Sequence, residues 1–180
     1  MPSSAPAIQL SRVTTQYDQA EDRFRLLGSA SDEGTVDLWL TQRMLVRLVR
    51  VLLDWLEEKE PAGSTINSDD PEVKSSLQSF AQQNASETMV KSPPVKPGLA
   101  TTKVLVTELD IRKSDEHVIL VFKVSPEVDG ELPFDVLQLR QWLGIVYGQW
   151  LKAEWPLAVW PNWIREGSGA AQLEDSAPMH

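Results

Sequence analysis

Hydrophobic and polar residues alternate along this chain with two periods, and each period occurs twice. In residues 9–40 the apolar positions recur at every second residue, the spacing of a half-buried strand. Phe24 and Leu26 share one face of residues 23–27. Val36, Leu38 and Leu40 alternate with Asp37 and Trp39 over residues 35–40. A further strand is predicted over residues 9–17. A turn is predicted over residues 29–34, whose Gly34 supplies the backbone freedom such connections need. The period then becomes helical. Leu45, Leu48, Leu52 and Trp55 form a stripe widened by Met44, Val51 and Leu56. Thr41 stands where a hydroxyl would cap the first turn. This pattern predicts a helix from Gln42 to about Glu58.

The same succession returns further along. Residues 103–111 and 117–124 read as a hairpin. Val118, Leu120 and Phe122 face one way and Ile119 and Val121 the other, as in a strand covered on both sides. Residues 127–131 read as a turn. Asp135 is placed to cap a helix from Val136 to about Ala153, with Leu139, Leu143, Val146 and Trp150 as its apolar stripe. Residues 13–58 and 105–152 can therefore be overlaid. Thr15 and Asp18 fall with Thr107 and Asp110, Gln42 with Gln138, and Trp55-Leu56 with Trp150-Leu151, with small gaps. The expected fold is α+β: duplicated β-β-β-α units, their mostly antiparallel sheet covered on one face by the two long helices.

The remaining segments set the organisation. Residues 1–10 are a Pro/Ser-rich lead expected to be disordered, and 11–60 the first unit. Residues 61–100 are a Pro/Ser-rich linker carrying a weak helix over 72–89, with Val73, Leu77 and Phe80 on one face. Within it SPPVKPG favours extended, polyproline-like backbone. Residues 101–155 are the second unit. In 156–180 the Trp155-Pro156 and Trp160-Pro161 steps disfavour helix at each Trp. That segment is expected to be an extended strap followed by a disordered tail.

Charge and composition narrow the function classes. The formal net charge is −9, so counterion release gives this chain no help in binding nucleic acid, and anionic membranes repel it. With no cysteine there is no disulfide, thiolate metal site or cysteine nucleophile. No signal peptide or membrane-spanning run is expected, and a bacterial-type cytoplasm is the simplest location. Phosphate-loop, GxSxG and HExxH patterns are lacking, so no catalytic residue, metal or cofactor is expected.

Candidate surfaces remain. Trp155, Trp160 and Trp163 either strap the tail across the core or offer an aromatic docking surface. Arg43, Arg47 and Arg50 line one helix face and suit an anionic partner segment, though charged stripes are more often the wet side of a helix. Gly144 and Gly148 make a smooth groove for close packing within the chain or for a dimer contact. Asp18, Asp110 and His117 form an acid/base or metal site only if the fold brings them together; otherwise they are turn and strand-edge residues. The resulting expectation is a non-enzymatic adaptor or accessory protein that binds another protein or a second copy of itself. The pattern is similar in architecture to duplicated β-plus-helix folds that bind single-stranded nucleic acid, which supplies the first alternative. A small hydrolase using Asp18, Asp110 and His117 is the second.

Overall fold

Among the described residues seven strands and four helices follow the two periods of the sequence, so the fold is α+β. The computed structural model describes residues 6–30, 34–61, 64–98 and 101–175, with side chains described as far as Ser168. The chain divides into two compact units, residues 1–45 with 92–136 and residues 46–91 with 137–180. No described helix is long and apolar enough to cross a membrane.

The first unit is a sheet. β1 (Ala7–Asp18), β2 (Arg23–Ala30) and β3 (Thr35–Leu40) make one antiparallel meander. β5 (Leu109–Lys113), β6 (His117–Ser125) and β7 (Val128–Asp135) make another. Two parallel pairings join them, β3 with β4 (Thr101–Leu105) and the start of β1 with β7. The order is β4-β3-β2-β1-β7-β6-β5. Only residues 106–108 separate β4 from β5, so the mixed sheet must curl until its two edges meet at that corner. The corner is tied on both sides: Val106 N–H donates to Trp39 O at 2.9 Å, and Lys123 N–H to Glu108 O at 3.3 Å.

Register decides which side chains share a face. Phe24, Leu26, Leu38, Leu40, Leu120 and Phe122 all point to the same side and are fully buried. A bulge between Leu10 and Arg12 lets β1 keep this face while it changes partner from β7 to β2. Leu10 is thereby laid over Gly28 and Gly130, 3.0 and 3.9 Å from where a Cβ on each would stand. The opposite face mixes polar groups with the buried side chains of Leu27, Trp39 and Val121. There the Arg25 guanidinium grips Asp37 through Nε–Oδ1 at 2.8 Å and Nη2–Oδ2 at 3.0 Å. Residues 92–98 cross this face, donating Val95 N–H to Thr14 Oγ1 at 2.8 Å and Gly98 N–H to Thr35 Oγ1 at 3.1 Å.

The second unit is helical. α1 (Gln42–Glu57) starts where Thr41 Oγ1 accepts from Met44 N–H at 3.3 Å. α2 (Pro71–Glu87) starts at Pro71, preceded by Asp70, whose carboxylate accepts from Glu72 N–H at 2.9 Å. α3 (Val136–Lys152) follows β7 directly. It ends near Glu154, whose φ of 56° turns the chain back. A short 3-10 turn, Leu157–Val159, precedes α4 (Asn162–Asp175), which packs against α2.

Several expectations change. β1 begins at Ala7, inside the lead read as loose, and residues 1–5 of that lead lie outside the described residues. Residues 31–33 of the first predicted turn lie outside them too. The strand expected over residues 103–111 is two strands broken at the corner, and most of the turn expected over 127–131 belongs to β7. The strap and tail are mainly helix through Asp175; residues 176–180 lie outside the described residues. A proline restricts the residue before it but is itself favoured at the start of a helix. Each Trp-Pro step here therefore precedes a helical segment instead of prolonging an extended one.

Candidate functional site

Helices ordinarily turn their largest apolar residues inward, and α2 does not. It buries Gln78, Gln82 and Ala85 and leaves Phe80 68% exposed. Val73 and Leu77, on the same stripe as Phe80, are half-buried. The inward glutamines meet α3 and α4 in a polar centre. Gln82 Nε2 donates to Arg140 O at 2.9 Å, and Gln78 Oε1 accepts from Arg140 Nη2. Gln78 Nε2 reaches the carbonyls of Leu56 and Lys59, at 3.4 and 3.3 Å, beside the end of α1.

Arg140 is the centre's only charge among these groups. It is 3% exposed, lies 5.5 Å from the Trp163 ring centroid, and has no described carboxylate partner. Burial pushes its guanidinium down to about 10. Arg140 Nη1, Gln82 Oε1 and Ser168 Oγ are buried with no hydrogen-bond partner among the described residues. A donor, an acceptor and a hydroxyl left unsatisfied on three helices make this a costly way to seat α2 and α4. Glycine permits it. A Cβ on Gly167 would stand 2.6 Å from Gln82 Cβ, so the α2 and α4 backbones meet there with no room for a side chain.

Of the two readings open for the tail tryptophans, strap or docking surface, their burial fits the strap: Trp155, Trp160 and Trp163 keep 7, 2 and 3% of their surface. Their large rings fill the unit's interior. Trp150 meets Trp155 and Trp160 edge-on at 5.1 and 5.4 Å, and Tyr147 meets Trp160 at 5.2 Å. Trp163 Nε1–H donates to Glu57 Oε1 at 2.9 Å. Gly144 is half-buried, and its Cβ side faces other parts of the chain. Gln82 Nε2, Ser168 Oγ and Ser86 Oγ stand 3.3, 3.8 and 4.0 Å from its Cβ position, so its groove serves packing within the chain. Gly148 is half-buried on the same helix. Arg43, Arg47 and Arg50 are exposed, as a row at helical spacing requires.

The possible acid/base group does not assemble. Asp18 closes the β1–β2 hairpin, its carboxylate accepting from Glu21 N–H at 3.0 Å. Asp110 is exposed on β5, and β7 and β6 lie between β5 and β1. His117 is exposed at the start of β6, where its backbone closes a turn with Ser114. Among the described residues no group of three or more His, Asp or Glu could hold a metal ion.

Sequence reasoning missed one arrangement on the sheet face that carries Asp37. Trp39 lies beneath two cations, Arg25 at 5.6 Å and Lys103 at 4.4 Å from its ring centroid. Strand parity was the available signal: Asp37 and Trp39 alternate with Val36, Leu38 and Leu40 and so must share the other face. No protein-family model, no curated protein and no solved structure matches this chain.

Proposed function

We propose that this is a non-enzymatic interaction protein that binds another protein through the outward apolar stripe of α2. The observation that carries the reading is the inverted burial of that helix, with Gln78 and Gln82 inward and Phe80 outward. Burying an exposed Phe is worth about 1.5–3 kcal/mol, and burying unpartnered amide oxygen costs a comparable amount. The chain forgoes both gains in one helix. A partner that covers Val73, Leu77 and Phe80 recovers the first. Helix-in-groove recognition reads such i, i+4, i+7 anchors.

Site-specific photo-crosslinking tests this. A benzoylphenylalanine at position 80 is expected to yield one dominant protein adduct in the native cells. The same probe at Glu87, exposed on the same helix, is the control. The reading fails if position 80 gives no adduct, or the same diffuse pattern as position 87.

The reading also includes internal duplication, which the strand register supports in a form different from the sequence overlay. Leu26 pairs with Leu38 as Leu120 pairs with Leu132, and the parallel pairing of β3 with β4 has its counterpart in that of β7 with β1. Thr15 stands opposite Leu26 as Ile111 stands opposite Leu120. Thr15 therefore corresponds to Ile111, and Asp110 to Thr14 instead of Asp18. The helices follow the same spacing. Leu45, Leu48, Val49, Leu52, Leu53 and Leu56 correspond to Leu139, Trp142, Leu143, Val146, Tyr147 and Trp150, all of them buried.

A further inference from the structure

The correspondence between α1 and α3 gives the arginine row a meaning that its spacing alone does not. Carried along the two helices, it places Arg43 with Leu137, Arg47 with Gln141 and Arg50 with Gly144. On α3 the Gln141–Gly144 part of this flank receives other helices, while Leu137 is exposed. Gln141 Nε2 donates to Ala85 O of α2 at 3.1 Å, and Gly144 lies under Gln82 and Ser86 of α2 and Ser168 of α4. On α1 the three arginines of the matching flank are exposed, and none has a carboxylate within ion-pair distance among the described residues.

The chemistry of the α1 flank points to the occupant. Three guanidiniums at i, i+4 and i+7 cover about two helical turns, roughly 10 Å. Carboxylates at matching positions of a second helix can meet all three. Arg43 is the second residue of α1, where the helix end carries partial positive charge and disfavours a cation. Local stability therefore does not explain Arg43, whereas an anionic partner would be attracted by both the side chains and the helix end. Nucleic acid is the poorer fit, because a chain of net charge −9 repels a long polyanion beyond the row.

We infer that the Arg43–Arg47–Arg50 face of α1 docks an acidic helix of a partner protein. The inference rests on the duplicated reading of α1 and α3 and concerns a surface distinct from the α2 stripe. The test uses the full chain and three fluorescent probes at low ionic strength. These are a stapled helix with Glu at i, i+4 and i+7, a proline-broken copy of it, and an oligothymidine. The stapled helix is expected to bind, the other two at least about tenfold more weakly. The triple variant Arg43→Gln/Arg47→Gln/Arg50→Gln should lose about tenfold in affinity, a size that three partly solvated ion pairs can supply.

Phe80→Asp should leave this binding unchanged, which separates a failure here from a failure of the α2 reading. Circular dichroism checks that the variants fold. Overturning results are no binding, equal binding of the broken peptide or the oligothymidine, or insensitivity to the triple variant. Sedimentation showing that the wild type self-associates and the triple variant does not would also overturn it, by making the occupant a second copy.

Discussion

Gly167→Ala is a sharp test of how α2 and α4 are held together. The new methyl carbon would lie 2.6 Å from Gln82 Cβ, 2.8 Å from Gln82 Cγ and 2.8 Å from Ser79 O. Two of these atoms are backbone or bound directly to it, so no side-chain rotation relieves them. Because nothing relieves the clash, it falls in the upper part of the usual overpacking range, about 2–3 kcal/mol. Replacing a helical glycine by alanine returns about 1 kcal/mol of propensity. The expected net loss is about 1–2 kcal/mol. Gly144→Ala is the matched comparison: its nearest neighbour is Gln82 Nε2 at 3.3 Å, the far end of a side chain that can move. There the propensity gain and the disturbed hydrogen bond to Arg140 O nearly cancel, at about 1 kcal/mol each.

Urea unfolding followed by tryptophan fluorescence reads the difference, since every tryptophan except Trp39 lies in the helical unit. With a slope of about 2 kcal/mol per molar, the Gly167→Ala midpoint should fall by about 0.5–1 M, with Gly144→Ala close to wild type. A Gly167→Ala midpoint at or above wild type would refute the backbone contact. Propensity alone predicts that outcome.

Other expectations follow from the same contacts. Arg140→Met combined with Gln78→Leu removes a buried cation together with its neutral acceptor and should raise stability by about 1 kcal/mol or more, measured by the same urea titration. The pH dependence is specific. Because the folded value is lowered to about 10, the charge penalty is full at every pH below that. It lifts only as pH rises from there toward the ordinary guanidinium value, so the gain should be equal at about pH 6 and pH 9. Asp37→Ala strands Arg25, whose pKa is raised chiefly by its hydrogen bond to Asp37, and should cost about 2–3 kcal/mol by thermal melting. Trp150→Ala empties the centre of the edge-on ring cluster and should cost about 3–5 kcal/mol, with loss of near-ultraviolet circular dichroism.

The periodic signals carried much of the fold. Leu45, Leu48, Leu52, Leu139, Leu143 and Trp150 are buried where helical spacing put them, and β3 keeps its predicted bounds. The break between β4 and β5 left little local trace, since no proline or glycine marks residues 106–108. The orientation of α2 was hidden because that helix is weakly amphipathic, and tertiary contacts with Arg140 decide which side faces inward. Arg140 itself reads as a surface residue in any sequence; only the Trp163 ring and the glutamines explain its burial. The tail tryptophans were ambiguous between core and surface until coordinates placed their rings.

The bend at residues 106–108 also bears on what the sheet edge offers to other chains. Were Thr101–Lys113 one straight strand, the sheet would end in a long ribbon of bare amide and carbonyl groups, a template for addition of further chains. The bend divides it into two runs of 5 residues each, β4 and β5, and gives each its own neighbour. Substitutions that stiffen this hinge into continuous extended backbone would therefore endanger solubility before they endanger the fold.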